Sequence, residues 1–199
     1  MIVAVEAPPG GGKGFLLKHL QARGVPGLRV ALLDDDISSL LDCQNDPARW
    51  GLVTQLSVFA AHIDMQNQER PVADALVMEG SHHSDAECHA RLATMHPQER
   101  ALYDEATSIL RATLREPVGL VVYLKSDLHT CFERIVSSAR KEQTGISLQA
   151  VAQHLAAYED FVATCPVPVV ELDCPAYFED NEPLVTALAD RVLAALREA

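Results

Sequence analysis

Three consecutive glycines followed by a lysine stand near the start of the chain, at residues 10–13. Glycines in such a loop let backbone N–H groups turn inward and cradle a phosphate group. Lys13 adds a point charge, and the N-terminus of a following helix adds a partial positive charge. The spacing matches the Walker A pattern, except that Ala7 replaces its first glycine and Gly14 replaces its Mg²⁺-binding hydroxyl. The residues of this loop that are predicted to contact a phosphate-bearing ligand, such as a phosphate donor, are Pro9, Gly10, Gly11, Gly12, Lys13, Gly14 and Phe15.

Acidic side chains follow two of the apolar runs, as an aspartate triplet at residues 34–36 and as Glu79. A carboxylate can accept a proton or hold a divalent cation, so both places are candidates for chemistry. Asp36 is also suited to capping a following helix. Three adjacent carboxylates exceed what one cap requires, which favours a functional role for at least one of them. The sequence leaves open which one points inward.

These residues require elements that position them, and the chain alternates short apolar runs with longer segments of helical period. The predicted strands are residues 2–5, 29–33, 75–78, 118–124 and 167–172, and the predicted helices are 14–23, 48–68, 97–115, 128–140, 148–162 and 183–196. Strands separated by helices predict an α/β fold with a five-stranded parallel sheet covered on both faces. Ligands bind at the carboxyl ends of such strands, so residues 8–13, 34–36, 79–85 and 125–127 should converge there.

Length and composition exclude several classes of protein. The 199 residues are 48% hydrophobic and 22% charged, which predicts one globular domain over residues 1–199 and no membrane partner. Sixteen basic and 28 acidic residues give a net charge of −12, which disfavours nucleic-acid binding. The start of the chain lacks the basic region of a secretory signal. Five cysteines without C-x-x-C spacing predict reduced thiols and a cytoplasmic location.

Five stretches, taken in order, resemble the deoxynucleoside kinase family from residue 2 to about residue 180. The first three are the loop at 6–15, Asp46-Pro47-Ala48-Arg49-Trp50 followed by Gln55, and Glu79-Gly80-Ser81-His82-His83-Ser84-Asp85, which is similar to the family's E-R-S-x-x-S-D segment. The other two are residues 123–161, with Tyr123, Cys131, Arg134, Arg140, Glu142, Gly145 and Glu159 at the family's spacing, and residues 172–178. Each stretch is weak alone, but their order and setting make the resemblance specific.

The resemblance implies a three-layer P-loop kinase fold with an arginine-bearing lid at about residues 140–147. It implies an enzyme that uses Mg²⁺ and transfers the γ-phosphoryl group of ATP to the 5′-hydroxyl of a (deoxy)nucleoside, and a homodimer. The implied catalytic residues are Lys13, Arg134 and Arg140. The glutamate that serves the family as general base is missing, and the aspartate triplet stands in its place, so the base is Asp34, Asp35 or Asp36, with Asp34 favoured. The other implied contacts are Arg134 and Phe178 for the donor, Gln55, Glu79, Asp85 and Gln143 for the substrate, and Glu79 for the metal.

Departures from the family pattern keep other interpretations open. Gly80 and Ser138 stand where the family has arginines, and Gln143 stands where it has a glutamate. These changes favour a slow enzyme, or one whose hydrogen-bond donors to phosphate lie at other positions. Protonated His82 and His83 are one candidate replacement for the arginine at position 80. The alternatives are a non-catalytic nucleotide-binding or assembly module, and a kinase for a nucleoside monophosphate or another small acceptor.

Overall fold

A five-stranded sheet forms the centre of the computed structural model, which describes residues 1–33, 39–69, 74–138, 145–175 and 181–198. Its strands are β1 (Ile2–Glu6), β2 (Leu28–Ala31), β3 (Ala75–Glu79), β4 (Leu120–Lys125) and β5 (Val169–Asp173), and they lie parallel in the order β2-β3-β1-β4-β5. The helices are α1 (Lys13–Ala22), α2 (Ser39–Asn45), α3 (Pro47–Glu69), α4 (His82–Ser84) continued by a π-helical segment (Asp85–Ala90), α5 (Pro97–Arg111), α6 (Leu128–Ser137), α7 (Leu148–Thr164) and α8 (Glu182–Glu198). The predicted α/β class and parallel sheet are confirmed.

Helices cover both faces of the sheet, and the residues of β1 are apolar up to the last position of the strand. Side chains alternate between the faces of a strand. Val3 and Val5 belong to a buried cluster with residues of α1 and α8, whereas Ile2 and Ala4 belong to a second cluster with Tyr158 of α7. The sheet is therefore the middle of three layers, and its carboxyl edge carries the polar residues that end the strands.

The structure differs from the predicted elements in several places, among them the end of α5 at Arg111 and the starts of β4 at Leu120 and β5 at Val169. The strand β2 ends at Ala31 rather than at residue 33, and α6 ends at Ser137 because Ser138 adopts extended backbone (φ −71°, ψ 146°). The elements α2 and α4 with its π-helical continuation were not predicted, because both are short and rich in polar residues, so they show no apolar period. Among the described residues, no helix is long and apolar enough to cross a membrane.

Candidate active site

The glycine loop at residues 7–12 connects β1 to α1 and packs directly against α6. Gly10 and Gly12 have φ values of 75° and 85°, in the left-handed region that favours glycine. A Cβ atom at Gly10 would lie 2.2 Å from the backbone oxygen of Cys131 in α6. Only glycine therefore allows the loop to approach this helix so closely, and the approach fixes the loop beside Arg134 of the same helix.

A cavity of about 380 Å³ opens at this loop. Within the described part of the chain, no side chain caps α1 at Gly12 and no acidic residue occupies its first turn. The backbone N–H groups and the positive end of the helix dipole are thus directed toward a ligand. The lining residues are Pro8, Pro9, Gly10, Gly11, Gly12, Lys13, Gly14, Phe15, Lys18, Glu79, Arg134, Ser137 and Ser138. The structure brings together all predicted donor-binding residues that it describes.

The charged side chains of this pocket favour an anion. Among the described lining residues, Lys13, Lys18 and Arg134 are positive and Glu79 is negative, so their formal sum is +2. Lys13 Nζ lies 3.5 Å from Glu79 Oε1, and both side chains are largely buried. Arg134 donates hydrogen bonds to the backbone oxygens of Gly10 (3.3 Å) and Pro175 (2.9 Å). The pocket is therefore locally positive in a chain of net charge −12.

Glu79 is the carboxylate available here to a divalent cation. Nowhere in the described ranges do three or more His, Cys, Asp or Glu side chains cluster as metal ligands. Mg²⁺ commonly binds through one or two carboxylates together with substrate phosphates and water. The uncapped helix end, Lys13 and Arg134 fit a polyphosphate, and Glu79 fits a Mg²⁺ ion that such a ligand brings with it.

The sequence model of the deoxynucleoside kinase family matches residues 3–196, nearly the whole chain. The chain belongs to the deoxynucleoside kinase family. This membership makes it a kinase of the nucleoside type, for which ATP is the general phosphate donor. It is consistent with a glycine loop and three cations around one cavity. No curated protein matches the chain.

The family's E-R-S segment falls at residues 79–81, where this kinase has Glu-Gly-Ser at the end of β3. Gly80 has a φ of 72°, and a Cβ atom there would lie 3.1 Å from Nε2 of His62 in α3. The backbone conformation and the imidazole therefore both oppose a side chain at position 80. The arginine of the family pattern is absent, and any side chain at position 80 would need a positive φ and a small shift of His62.

His62 was not identified from the sequence, yet it links two predicted site residues of the kinase. Its Nδ1 lies 2.6 Å from Asp85 Oδ2 and its Nε2 lies 2.8 Å from the backbone oxygen of Glu79. Burial by itself lowers the pKa of the imidazole, but the adjacent Asp85 carboxylate, aided by Glu6, outweighs it and raises that pKa. Asp85, predicted to contact substrate, is 1% exposed and does not line the glycine-loop pocket.

Glu6, the last residue of β1, is a second buried acid of this region. Its Oε1 accepts a hydrogen bond of 2.6 Å from the Ser81 hydroxyl. Burial raises the pKa of the Glu6 carboxyl from 4.5 to about 7, although Ser81 and Lys13 lower it in part. A carboxyl with such a pKa is partly protonated at neutral pH, and perturbed groups of this kind are typical of functional sites.

The adjacent histidines do not replace the missing arginine. Burial, followed by the neighbouring His83, lowers the pKa of His82 to about 3, and burial also lowers the pKa of His83. Their rings lie 4.1 Å apart between centroids. Both imidazoles are therefore neutral at pH 7, and the expectation that they act there as protonated donors is wrong.

Gln55 lies on α3, seven residues before His62, so the two side chains share a face of this helix. Its Oε1 is buried and accepts no hydrogen bond from any described residue. Buried amide oxygens are normally paired, so this atom is suited to a ligand that donates a hydrogen bond.

Five predicted site residues lie outside the described residues: Asp34, Asp35, Arg140, Gln143 and Phe178. The same is true of most of the predicted lid at 140–147. Their assignments remain predictions from the sequence and the family pattern.

Proposed function

We propose that this chain is a Mg²⁺-dependent kinase that transfers the γ-phosphoryl group of ATP to the 5′-hydroxyl of a (deoxy)nucleoside. The observation that carries the proposal is a single pocket lined by the uncapped N-terminus of α1, Lys13, Arg134 and Glu79. Phosphoryl transfer depends on positioning and charge stabilisation, and these are the groups that supply both. Family membership supplies the class of reaction.

Each residue of the pocket has a role in this proposal. The backbone N–H groups of the loop and Lys13 hold the donor phosphates, and Arg134 stabilises charge on the transferring group. Bound Mg²⁺ supplies further neutralisation of the phosphate oxygens, and Glu79 helps to hold it. Asp34 or Asp35 accepts the hydroxyl proton, and Gln55 pairs with the nucleobase through its amide. The remaining roles are charge stabilisation by Arg140, adenine stacking by Phe178, and acceptor contacts by Asp85 and Gln143.

The residues missing from this pocket predict slow turnover. Arginine donors are missing at Gly80 and Ser138, where the family pattern has them. Loss of one preorganised donor at a reacting group costs about 3 kcal/mol, which is about a hundredfold in rate. Buried neutral His82 does not compensate at pH 7. We therefore expect a turnover number well below that of a kinase that keeps both arginines.

The test compares Lys13→Ala with a matched control, Lys125→Ala. Both variants remove one lysine charge, but Lys125 is exposed beside Glu171 and does not line the pocket. Calorimetry with ATP and Mg²⁺ should show binding to the wild type and to Lys125→Ala, and none to a folded Lys13→Ala. Chromatography of reactions with each of the four deoxynucleosides should then show ADP and a nucleoside monophosphate. Unchanged ATP affinity in Lys13→Ala would contradict the phosphate-loop assignment.

A non-catalytic nucleotide-binding module is the second candidate. Gly14 lacks the hydroxyl that holds Mg²⁺ in a Walker A loop, and position 80 lacks the family's arginine. This candidate predicts ATP binding that depends on Lys13, with no product from any nucleoside. A third candidate, a kinase for a nucleoside monophosphate or another small acceptor, predicts turnover only with that acceptor.

The proposed enzyme is a cytoplasmic homodimer. The proposed location rests on the sequence, whose five cysteines lack C-x-x-C spacing and a disulfide framework. The helices α3 and α5 pack together and expose large apolar side chains, Val53 on α3 and Leu102 and Ile109 on α5. Exposed apolar side chains on adjacent helices are suited to pairing with a second copy. Light scattering coupled to size-exclusion chromatography would measure the mass in solution.

A further inference from the structure

The end of β3, residues 79–81, is held by hydrogen bonds from two other elements. The Gly80 N–H donates to the Val5 oxygen of β1 (2.9 Å), and the Ser81 hydroxyl donates to Glu6 (2.6 Å). The third bond comes from α3, where His62 Nε2 lies 2.8 Å from the Glu79 oxygen. A carbonyl oxygen only accepts hydrogen bonds, so Nε2 carries the proton.

His62 is itself oriented from its other side. Its Nδ1 lies 2.6 Å from Asp85, and the two side chains are 4% and 1% exposed. A histidine whose second nitrogen is bound to a carboxylate has a fixed ring orientation. Gly80 favours this close approach of the ring to Glu79, since a Cβ there would lie 3.1 Å from Nε2 and the ring would have to shift. Asp85, His62 and the backbone of Glu79 thus form a continuous buried chain.

We propose that His62 is a positioning residue that holds the Glu79 carboxylate beside Lys13 in the geometry needed for the metal–nucleotide complex. The inference rests on the proposed function, because it gives Glu79 a role in binding Mg²⁺. Glu79 pairs with Val5 of β1, whereas the pairing of β3 with β2 ends at Met78, so the sheet bounds the Glu79 backbone on one side only. The bond from His62 restrains the other side, and the side chain that starts from this backbone meets Lys13 at 3.5 Å.

Two substitutions separate the two bonds of His62. The amide nitrogen of His62→Gln reaches the place of Nε2, so this variant keeps a donor for Glu79 and loses the one for Asp85. The amide of His62→Asn reaches the place of Nδ1, so it keeps a donor for Asp85 and loses the one for Glu79. A buried carboxylate without a partner is strongly destabilising, so His62→Gln should be the less stable variant.

The experiment measures Mn²⁺ affinity by electron paramagnetic resonance, with Mn²⁺ in place of Mg²⁺ and a non-hydrolysable ATP analogue. It requires no turnover and is made on the full chain. His62→Asn should weaken Mn²⁺ binding about tenfold or more, as loss of a residue supporting a metal ligand does. His62→Gln should bind Mn²⁺ nearly as well as the wild type despite its lower stability. Glu79→Gln should weaken Mn²⁺ binding, and adding His62→Asn to it should have no further effect.

The outcomes distinguish this inference from the proposed function. If His62 has only a structural role, Mn²⁺ affinity should fall with the free energy of unfolding, so that His62→Gln binds Mn²⁺ more weakly than His62→Asn. That result would overturn the inference. The inference would also be overturned if the losses of Mn²⁺ affinity caused by His62→Asn and by Glu79→Gln added fully in the double variant. If Glu79→Gln weakens Mn²⁺ binding and His62→Asn does not, this inference alone is wrong. If Glu79→Gln leaves Mn²⁺ affinity unchanged, the proposed metal role of Glu79 is wrong as well.

Discussion

The buried carboxyl of Glu6 should make the stability of this protein depend on pH, and Glu6→Gln should remove that dependence. Burial raises the pKa of Glu6 from 4.5 to about 7 in the folded chain. Between these values the folded state keeps a proton that the unfolded state has released. The free energy of unfolding therefore falls as the pH rises through this window and levels off above the folded pKa.

The magnitude follows from the two pKa values. Their difference is about 2.5, and each pKa unit corresponds to 1.36 kcal/mol, so the carboxyl accounts for about 3 kcal/mol. Most of this change falls between about pH 5 and pH 8. Glutamine keeps an oxygen that accepts the hydrogen bond from Ser81, but its side chain cannot ionise. The free energy of unfolding of the variant should therefore not fall in this way as the pH rises.

Urea unfolding followed by circular dichroism, at intervals from about pH 5 to pH 8, measures the effect. His62 also loses stabilisation as the pH rises, because its folded pKa is raised, in part by Glu6. Glu6→Gln therefore reduces this contribution as well, and both changes make the variant less dependent on pH. Glu105→Gln, at an exposed position on α5, is the control for loss of a surface carboxylate. Parallel stability curves for the wild type and Glu6→Gln would refute the reasoning.

Three further predictions concern the site. Gln55→Leu should weaken nucleoside binding by roughly 1–3 kcal/mol and leave ATP affinity unchanged in calorimetry, because a buried base loses its partner; equal weakening of both ligands would make Gln55 structural. Asp34→Asn should lower the rate of phosphoryl transfer by ~10²-fold with little change in nucleoside affinity, whereas the sequence predicts that Asp35→Asn is tolerated, because it places Asp34 and Asp35 on opposite sides of a segment that follows a strand; the reverse result would move the base by one residue. Gly80→Ala should lower the free energy of urea unfolding by about 1–2 kcal/mol because its φ is 72°, and should weaken Mn²⁺ binding by displacing His62; a neutral substitution would contradict the packing argument.

The architecture was predictable because its strands are short apolar runs and its helices carry a clear period. The alternation of Ile2, Val3, Ala4 and Val5 explains both faces of the sheet, and all five predicted strands overlap observed ones. Chain direction in a parallel sheet then brings every strand end to one edge. This rule alone brings Glu79 to the glycine loop, 3.5 Å from Lys13.

The interior of the candidate site was not predictable in the same way. His62 lies within a helix whose period describes only its apolar positions, and its partner Asp85 is 23 residues away in the chain. No local sequence pattern connects residues this far apart. Asp85 was therefore predicted to contact substrate, and His62 was given no role. The segment after Glu79 forms a short helix and a π-helical segment from a polar sequence, without a period that would indicate it.

The position of β1 has a consequence for how the chain acquires its binding site during synthesis. This strand is made first, but it lies in the centre of the sheet, and its two neighbours are β3 and β4. Ile2 pairs with Leu76, and Val3 pairs with Leu120, so the glycine loop gains its supports only after β4 has left the ribosome. Such long-range pairing slows folding and leaves an apolar strand with two bare edges in the nascent chain. Retention of nascent chains on immobilised ATP should therefore begin late in translation, after β4 has emerged.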